Sequence, residues 1–229
     1  MKIEEKIKQK YLYSKKFNFI KIIYFFLQLI KNKFKYKKSY SFGAQDLITE
    51  KFFKNKNKGI YVDVGCYHPI LGNNTYKLFK KGWHGINIDI DFHTIDLFNF
   101  FRNRDENIQI GVSDKRGGND MFFFHNRSAI NTLNPTRGKN SKEIKKIQTD
   151  TLNNIIEKTK FANSKIDFLS IDVEGYEMNV LRGFDIKKYS PDLVVIEFMD
   201  LENKTGDIYK IEFYKQNINK ILSSNYINI

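Results

Sequence analysis

With 229 residues, 41% of them hydrophobic and 15% aromatic, and only three prolines, the chain can build one well-buried domain and falls outside the disordered, collagen-like and low-complexity classes. Its single cysteine, Cys66, excludes a disulfide framework or a zinc site built from several cysteines. The net charge of +13 is an N-terminal property: residues 1–58 hold 16 Lys against 4 Asp/Glu, while residues 59–229 hold 23 Lys/Arg against 22 Asp/Glu. Attraction to polyanions should therefore reside in an arm and not in the main fold, which disfavours nucleic acid as a partner. No secretion signal is apparent, so a reducing cytoplasm is the expected compartment.

The chain divides into a basic arm, residues 1–40, and a main domain, residues 41–229. In the arm, Phe17 to Ile30 (FNFIKIIYFFLQLI) is too short to span a bilayer and is broken by Lys21. On a helix, Asn18, Lys21, Gln28, Asn32 and Lys35 share a polar stripe with Phe25 as intruder, and Ile20, Ile23, Tyr24, Leu27 and Ile30 lie opposite. Two placements follow from this basic amphipathic pattern. Either residues 15–38 lie on an anionic membrane surface, peripheral to its inner face, with lysines toward the headgroups, or the helix covers the core of the following domain.

Gln45 to Phe53 reads as a short helix, and Gly59-Ile60-Tyr61-Val62-Asp63-Val64-Gly65 as a buried strand. Asn74 to Lys81 forms a helix with Asn73 or Asn74 as cap and Gly82 as stop. Gly85 to Asp89 is a second strand, Phe92 to Phe101 a second helix, and Ile108 to Val112 a third strand before the turn Asp114–Gly118. Met121 to Phe124 is a further strand. His125 to Lys142 is polar and long for a connection, which marks a substrate loop. Thr151 to Lys160 is a helix, Ile166 to Asp172 a strand, Gly175 to Leu181 a helix closed by Gly183, and Leu193 to Phe198 a strand. Asp207 to Ser223 is a helix and Tyr226 to Ile229 the start of a strand. Apolar strands alternating with helices predict an α/β fold with a mostly parallel sheet and helices on both faces.

Asp63, Asp89, Asp172 and Glu197 fall at or near strand ends, where open parallel sheets bind ligands. The first turn, Asp63-Val64-Gly65-Cys66-Tyr67-His68-Pro69, lacks the G-x-G-x-x-G spacing of dinucleotide sites and the G-x-x-x-x-G-K-[ST] of a P-loop. One glycine there, with Asp89 about 24 residues on, suits a nucleoside without a phosphate chain whose ribose hydroxyls meet Asp89. Asp63 has a second reading, compatible with the first, as a carboxylate that stabilises the turn.

These residues resemble the FkbM-type family of S-adenosylmethionine-dependent O-methyltransferases. The resemblance rests on Tyr61-Val62-Asp63-Val64-Gly65 with Tyr67-His68-Pro69, on Asn74-Thr75, and on Gly82 through Asp89 (GWHGINID). It continues with Val112-Ser113-Asp114, Ile166 through Glu177 (IDFLSIDVEGYE) and Val180-Leu181-Arg182-Gly183, and covers roughly residues 42–200. It implies a class I methyltransferase (Rossmann-like) fold, S-adenosylmethionine as donor, and a hydroxyl acceptor such as a sugar of a surface polysaccharide. It further implies that Asp63, Gly65, Tyr67 and Asp89 frame the donor, that Ser113 and Asp114 lie near its adenine, and that Asp172 and Glu174 face the reacting centre. The chain departs from the family in its short C-terminus, in which the usual antiparallel closing strand is missing.

Transfer to a hydroxyl needs alignment and a proton acceptor. Asp172 is expected to orient the acceptor or a metal and Glu174 to act as base, with His68, held extended before Pro69, a second base candidate and His125 a weaker one. Glu174 and Glu177 have a plainer reading as charges at a helix N-terminus. Asp172, Glu174 and Glu197 together would suit Mg²⁺, which nothing in the sequence demands. Arg127, Asn131 and Arg137 in the long loop are candidates to grip a sugar or phosphate. Two other readings remain open at this point: a nucleic-acid methyltransferase, and a shortened, non-catalytic protein associated with membranes or glycolipids.

Overall fold

The structure, a computed structural model, describes residues 18–33, 38–125 and 129–197. The chain enters as helix α1 (Asn18–Lys33) and helix α2 (Gln45–Phe52), then forms strand β1 (Ile60–Val64). Helix α3 (Tyr76–Lys80), strand β2 (His84–Asp89), helix α4 (Phe92–Phe101) and strand β3 (Glu106–Gln109) follow. A short strand β4 (Gly111–Val112) leads into β5 (Gly118–Phe124) and β6 (Glu143–Asp150). Helix α5 (Leu152–Glu157), strand β7 (Phe168–Ile171), helices α6 (Glu177–Arg182) and α7 (Ile186–Tyr189), and strand β8 (Leu193–Ile196) complete the described part.

Five strands make an all-parallel sheet in the order β3-β2-β1-β7-β8, with Val64 opposite both Ile88 and Ile171. Alternation decides which side each residue serves. Val62, Val64, Ile86, Ile88, Leu169 and Ile171 point to one face and pack with Leu152, Ile155 and Ile156 of α5 and Val180 and Leu181 of α6. Tyr61 and Phe168 point to the other and pack with Phe53, Leu78 and Trp83 beside α2 and α3. This is the Rossmann-like α/β arrangement expected, with both faces covered.

Three local expectations are corrected. The segment Ile108–Val112 is not one strand: β3 ends at Gln109, Ile110 donates its N–H to the Asp89 carbonyl, and Gly111–Val112 joins a separate three-stranded sheet, order β4-β6-β5. In that sheet β5 and β6 run antiparallel from Gly118–Thr149 to Phe124–Glu143, so the segment after the long loop is a strand. Helix α3 begins after Thr75, and Asn73 contributes through its side-chain oxygen, which accepts from the Thr75 N–H at 2.9 Å. The expected C-terminal helix (Asp207 to Ser223) and strand (Tyr226 to Ile229), and the expectation about a closing strand, lie outside the described residues.

The orientation of α1 also differs from the stripe analysis. Lys21 and Phe25, four residues apart and therefore on one face, are the buried pair: Lys21 Nζ meets Asp96 of α4 at 2.9 Å, and the Phe25 ring lies 5.6 Å from that of Phe100. The face with Lys21 and Phe25 docks on the domain, and Ile20, Ile23, Leu27 and Ile30 of the apolar side are exposed. Coverage of the core by that apolar side is thereby overturned.

Candidate active site

The site begins where β1 ends. Gly65 takes φ +80°, and a Cβ built there would sit 1.7 Å from the Asp172 carbonyl oxygen, so only glycine lets the turns after β1 and β7 touch. Gly65 and Cys66 both donate to the Ile88 carbonyl, which ties the turn to the end of β2. Tyr67 also has positive φ, 53°, a costly conformation for a side-chain-bearing residue and one that clusters at functional turns. It is held by its N–H on Asp89 Oδ2 at 3.0 Å and by its carbonyl, which accepts from Thr94 Oγ1 at 3.0 Å. The other oxygen of Asp89 accepts from the Asp91 N–H.

The second half comes from β7. After Asp172 and Val173 the chain reverses through Glu174 (φ 56°) and Gly175 (φ 91°). The segment between β5 and β6 folds over this reversal as a strap: Thr132 Oγ1 donates to the Glu174 carbonyl at 2.9 Å and Asn134 Nδ2 to the Gly175 carbonyl at 2.6 Å. Arg137 pairs with the Glu174 carboxylate in a contact largely closed to solvent. Tyr176 reaches the opposite way and donates its hydroxyl to Asp120 at 3.1 Å.

Between these parts lies a solvent-open cleft, lined by the ends of β1, β2 and β7 and by the strap. Ile88, Ile90, Ile110, Val112 and Leu133 make an apolar wall; Gly65, Tyr67, Asp89, Thr94, Asn131, Asp172 and Tyr176 supply the polar groups. Among the described residues that line it there are two carboxyl groups and no Lys or Arg. Burial pushes Asp89 up to about 7 despite its two backbone N–H donors. Burial, then the neighbouring Glu197 and Glu174, pushes Asp172 up to about 8. Both carboxyls titrate higher folded than unfolded, so their contribution to stability is full below about pH 4 and is lost as pH rises through 7 and 8. The thermal midpoint of the unliganded protein is accordingly expected to fall between pH 5 and pH 9. A midpoint that rises over that range would show that these two groups do not carry their protons into the fold.

The other expected site residues lie around the cleft and not in its wall. Asp63 points to the opposite face of the sheet and accepts from Asn73 Nδ2 at 3.1 Å and Thr75 Oγ1 at 2.9 Å, which is the turn-stabilising arrangement. His68 Nδ1 accepts from the N–H groups of Ile70 and Leu71, so the imidazole caps the loop after β1. The Ser113 hydroxyl donates to Asp114, and both residues follow Val112, the last wall residue of that strand. The His125 N–H donates to Asn131 Oδ1, and burial lowers the pKa of its ring. Glu177 accepts from the Gly175 N–H, as a charge at the start of α6 should. Arg127 is outside the described residues. Asp172, Glu174 and Glu197 do not make up a magnesium ligand set: Glu174 is engaged by Arg137, and among the described residues no group of three or more His, Cys, Asp or Glu is placed to hold a metal ion.

Sequence reasoning passed over Arg102. It is fully buried at the end of α4 and donates to the Pro69 carbonyl, Asn73 Oδ1 and Thr75 Oγ1, with the Tyr76, Phe79 and Phe98 rings about its guanidinium. It thus fixes the loop that carries Gly65 and Tyr67, from 27 to 33 residues away along the chain.

The sequence model of the family described as Methyltransferase FkbM domain matches residues 63–223. No curated protein and no solved structure matches the chain.

Proposed function

The chain belongs to the FkbM methyltransferase family, and on that premise we propose that it methylates a hydroxyl group, with S-adenosylmethionine as donor and a sugar of a surface polysaccharide or related glycoconjugate as acceptor. The observation that carries this reading is the cleft with two carboxyl groups, Asp89 and Asp172, and no basic side chain among its described wall residues. Such a wall favours a cationic ligand that repays the ionisation of Asp172, and gives phosphates nothing to hold. This also weighs against a nucleic-acid substrate.

When bound, S-adenosylmethionine supplies a methyl group already activated on a sulfonium. The protein's own work is to hold and to accept a proton. Asp89, fixed by the N–H groups of Tyr67 and Asp91, accepts from ribose hydroxyls in this reading, which the orientation of its carboxyl supports. Ile88, Ile90, Val112 and Leu133 offer an apolar slot for the adenine. Asp172 takes the acceptor proton, and Asn131 on the strap offers the polar contact that a polyhydroxylated acceptor uses. Glu174, paired with Arg137, holds the strap and leaves the base to Asp172.

Calorimetric binding of S-adenosylmethionine tests the reading. Asp89→Ala removes two charge-assisted acceptor positions and is expected to weaken donor affinity by roughly 10²-fold or more. Failure of the wild type to bind the donor would overturn the proposal. Affinity is further expected to rise with pH between 6 and 9, by up to about tenfold per unit for each group that must ionise, with protons released to buffer on binding. Calorimetry in buffers of different ionisation enthalpy reads that release, and proton uptake would contradict the assigned protonation states.

A further inference from the structure

Between Phe19 and Leu27, where the side chains of α1 are described, its outward side is apolar. Phe19, Ile20, Ile22, Ile23, Phe26, Leu27 and Ile30 recur at helical spacing; Phe19 is 74% exposed and Leu27 58%, while Lys21 is 7% and Phe25 6% exposed. Lys21 is the only cation within Asn18–Ile30, and it is turned inward onto Asp96. The described outward residues between Phe19 and Ile30 are therefore uncharged, whereas residues 1–38 as a whole carry twelve lysines and two glutamates. At 16 residues α1 is about 24 Å long, and no helix among the described residues is long and apolar enough to cross a membrane.

We propose that the outward face of α1 docks on an anionic lipid surface, lying in the plane of the interface with its apolar side chains inserted and the surrounding lysines on the headgroups. Charge selects this occupant. A second copy pairing through the same face would bring together two segments whose flanking sequence is rich in lysine, with no acidic residue in Asn18–Lys33 to relieve it. The chain's own segment 198–229 has four lysines and four acidic residues, and so offers no net complement either. An anionic bilayer satisfies both features at once, with apolar insertion and lysine–headgroup attraction adding. The inference stands apart from the methyl acceptor. It does bear on access, because α4, on which α1 rests, also supplies Thr94 to the cleft.

Co-sedimentation of the full chain with phosphatidylserine/phosphatidylcholine vesicles, beside pure phosphatidylcholine vesicles, tests this. The double variant Ile23→Gln with Leu27→Gln keeps the charge and alters two exposed residues. The expected result is binding to the anionic vesicles, weaker binding to the neutral ones, and roughly tenfold or greater weakening in the variant, with an unchanged thermal midpoint. No binding of the wild type to either vesicle overturns the proposal. A concentration-dependent dimer lost in the variant assigns the face to a second copy, and a lowered midpoint without lipid assigns it to the chain's own segment; either outcome also overturns it.

Discussion

Asp172→Asn is expected to slow methyl transfer by roughly 10²–10⁴-fold, the range typical of a positioned proton acceptor. The replacement is nearly isosteric and resembles the protonated carboxyl that burial and Glu197 already favour in the empty cleft. Near pH 6.5 donor affinity should therefore change far less than in Asp89→Ala, and the rise in affinity above pH 7 should flatten. Single-turnover rates of the donor-loaded protein, with any hydroxyl acceptor that the wild type uses, separate transfer from binding. An Asp172→Asn protein that turns over at the wild-type rate would move the base elsewhere in the cleft.

Arg102→Met is expected to lower folding stability by about 3–5 kcal/mol, the cost of removing one partner from a buried charged network. Methionine fills much of the aromatic enclosure made by Tyr76, Phe79 and Phe98 but donates nothing. The Pro69 carbonyl would lose its guanidinium donors and Asn73 Oδ1 one of the donors it has, and Asp63, whose pKa burial already raises and the guanidinium lowers, would be pushed further toward protonation. Urea denaturation followed by circular dichroism gives the stability difference. A loss under 1 kcal/mol would show that the loop after β1 stands without Arg102. Because that loop carries Gly65 and Tyr67, the same variant should bind the donor less well even where it remains folded.

The parts of the molecule that were legible in the sequence are those whose cause is local. Buried runs such as IYVDV and FLSI have nowhere to go but a covered sheet, and the glycine after β1 announces a close approach that the Asp172 carbonyl supplies. Asp89 and Asp172 could be placed at one rim because parallel strands bring their carboxyl ends together. What escaped depended on contacts distant in sequence. Strand β6, EIKKIQTD, buries only some of its residues, and the sequence assigns no element to it because its strand character rests on pairing with β5. Lys21 reads as a solvent residue on a helical projection because Asp96, 75 residues away, is not on that projection. His68 looked like a base, yet the N–H groups of Ile70 and Leu71 make it a loop cap, a use that a lone histidine does not advertise. Arg137, expected to grip a ligand, instead engages Glu174, because the strap folds back onto the reversal after β7.

The contact between Gly65 and the Asp172 carbonyl has a consequence for redesign. Two strand ends butted together with no room for a methyl group form an anvil that tolerates no change of shape, and every ladder bond between β1 and β7 reinforces it. The strap is a different material: a loop laid across that anvil and fastened by the side chains of Thr132, Asn134 and Arg137. Efforts to graft a new acceptor preference onto this scaffold should therefore diversify the strap around Asn131, keep its buried fasteners Thr132, Leu133 and Gly138, and leave the strand ends untouched.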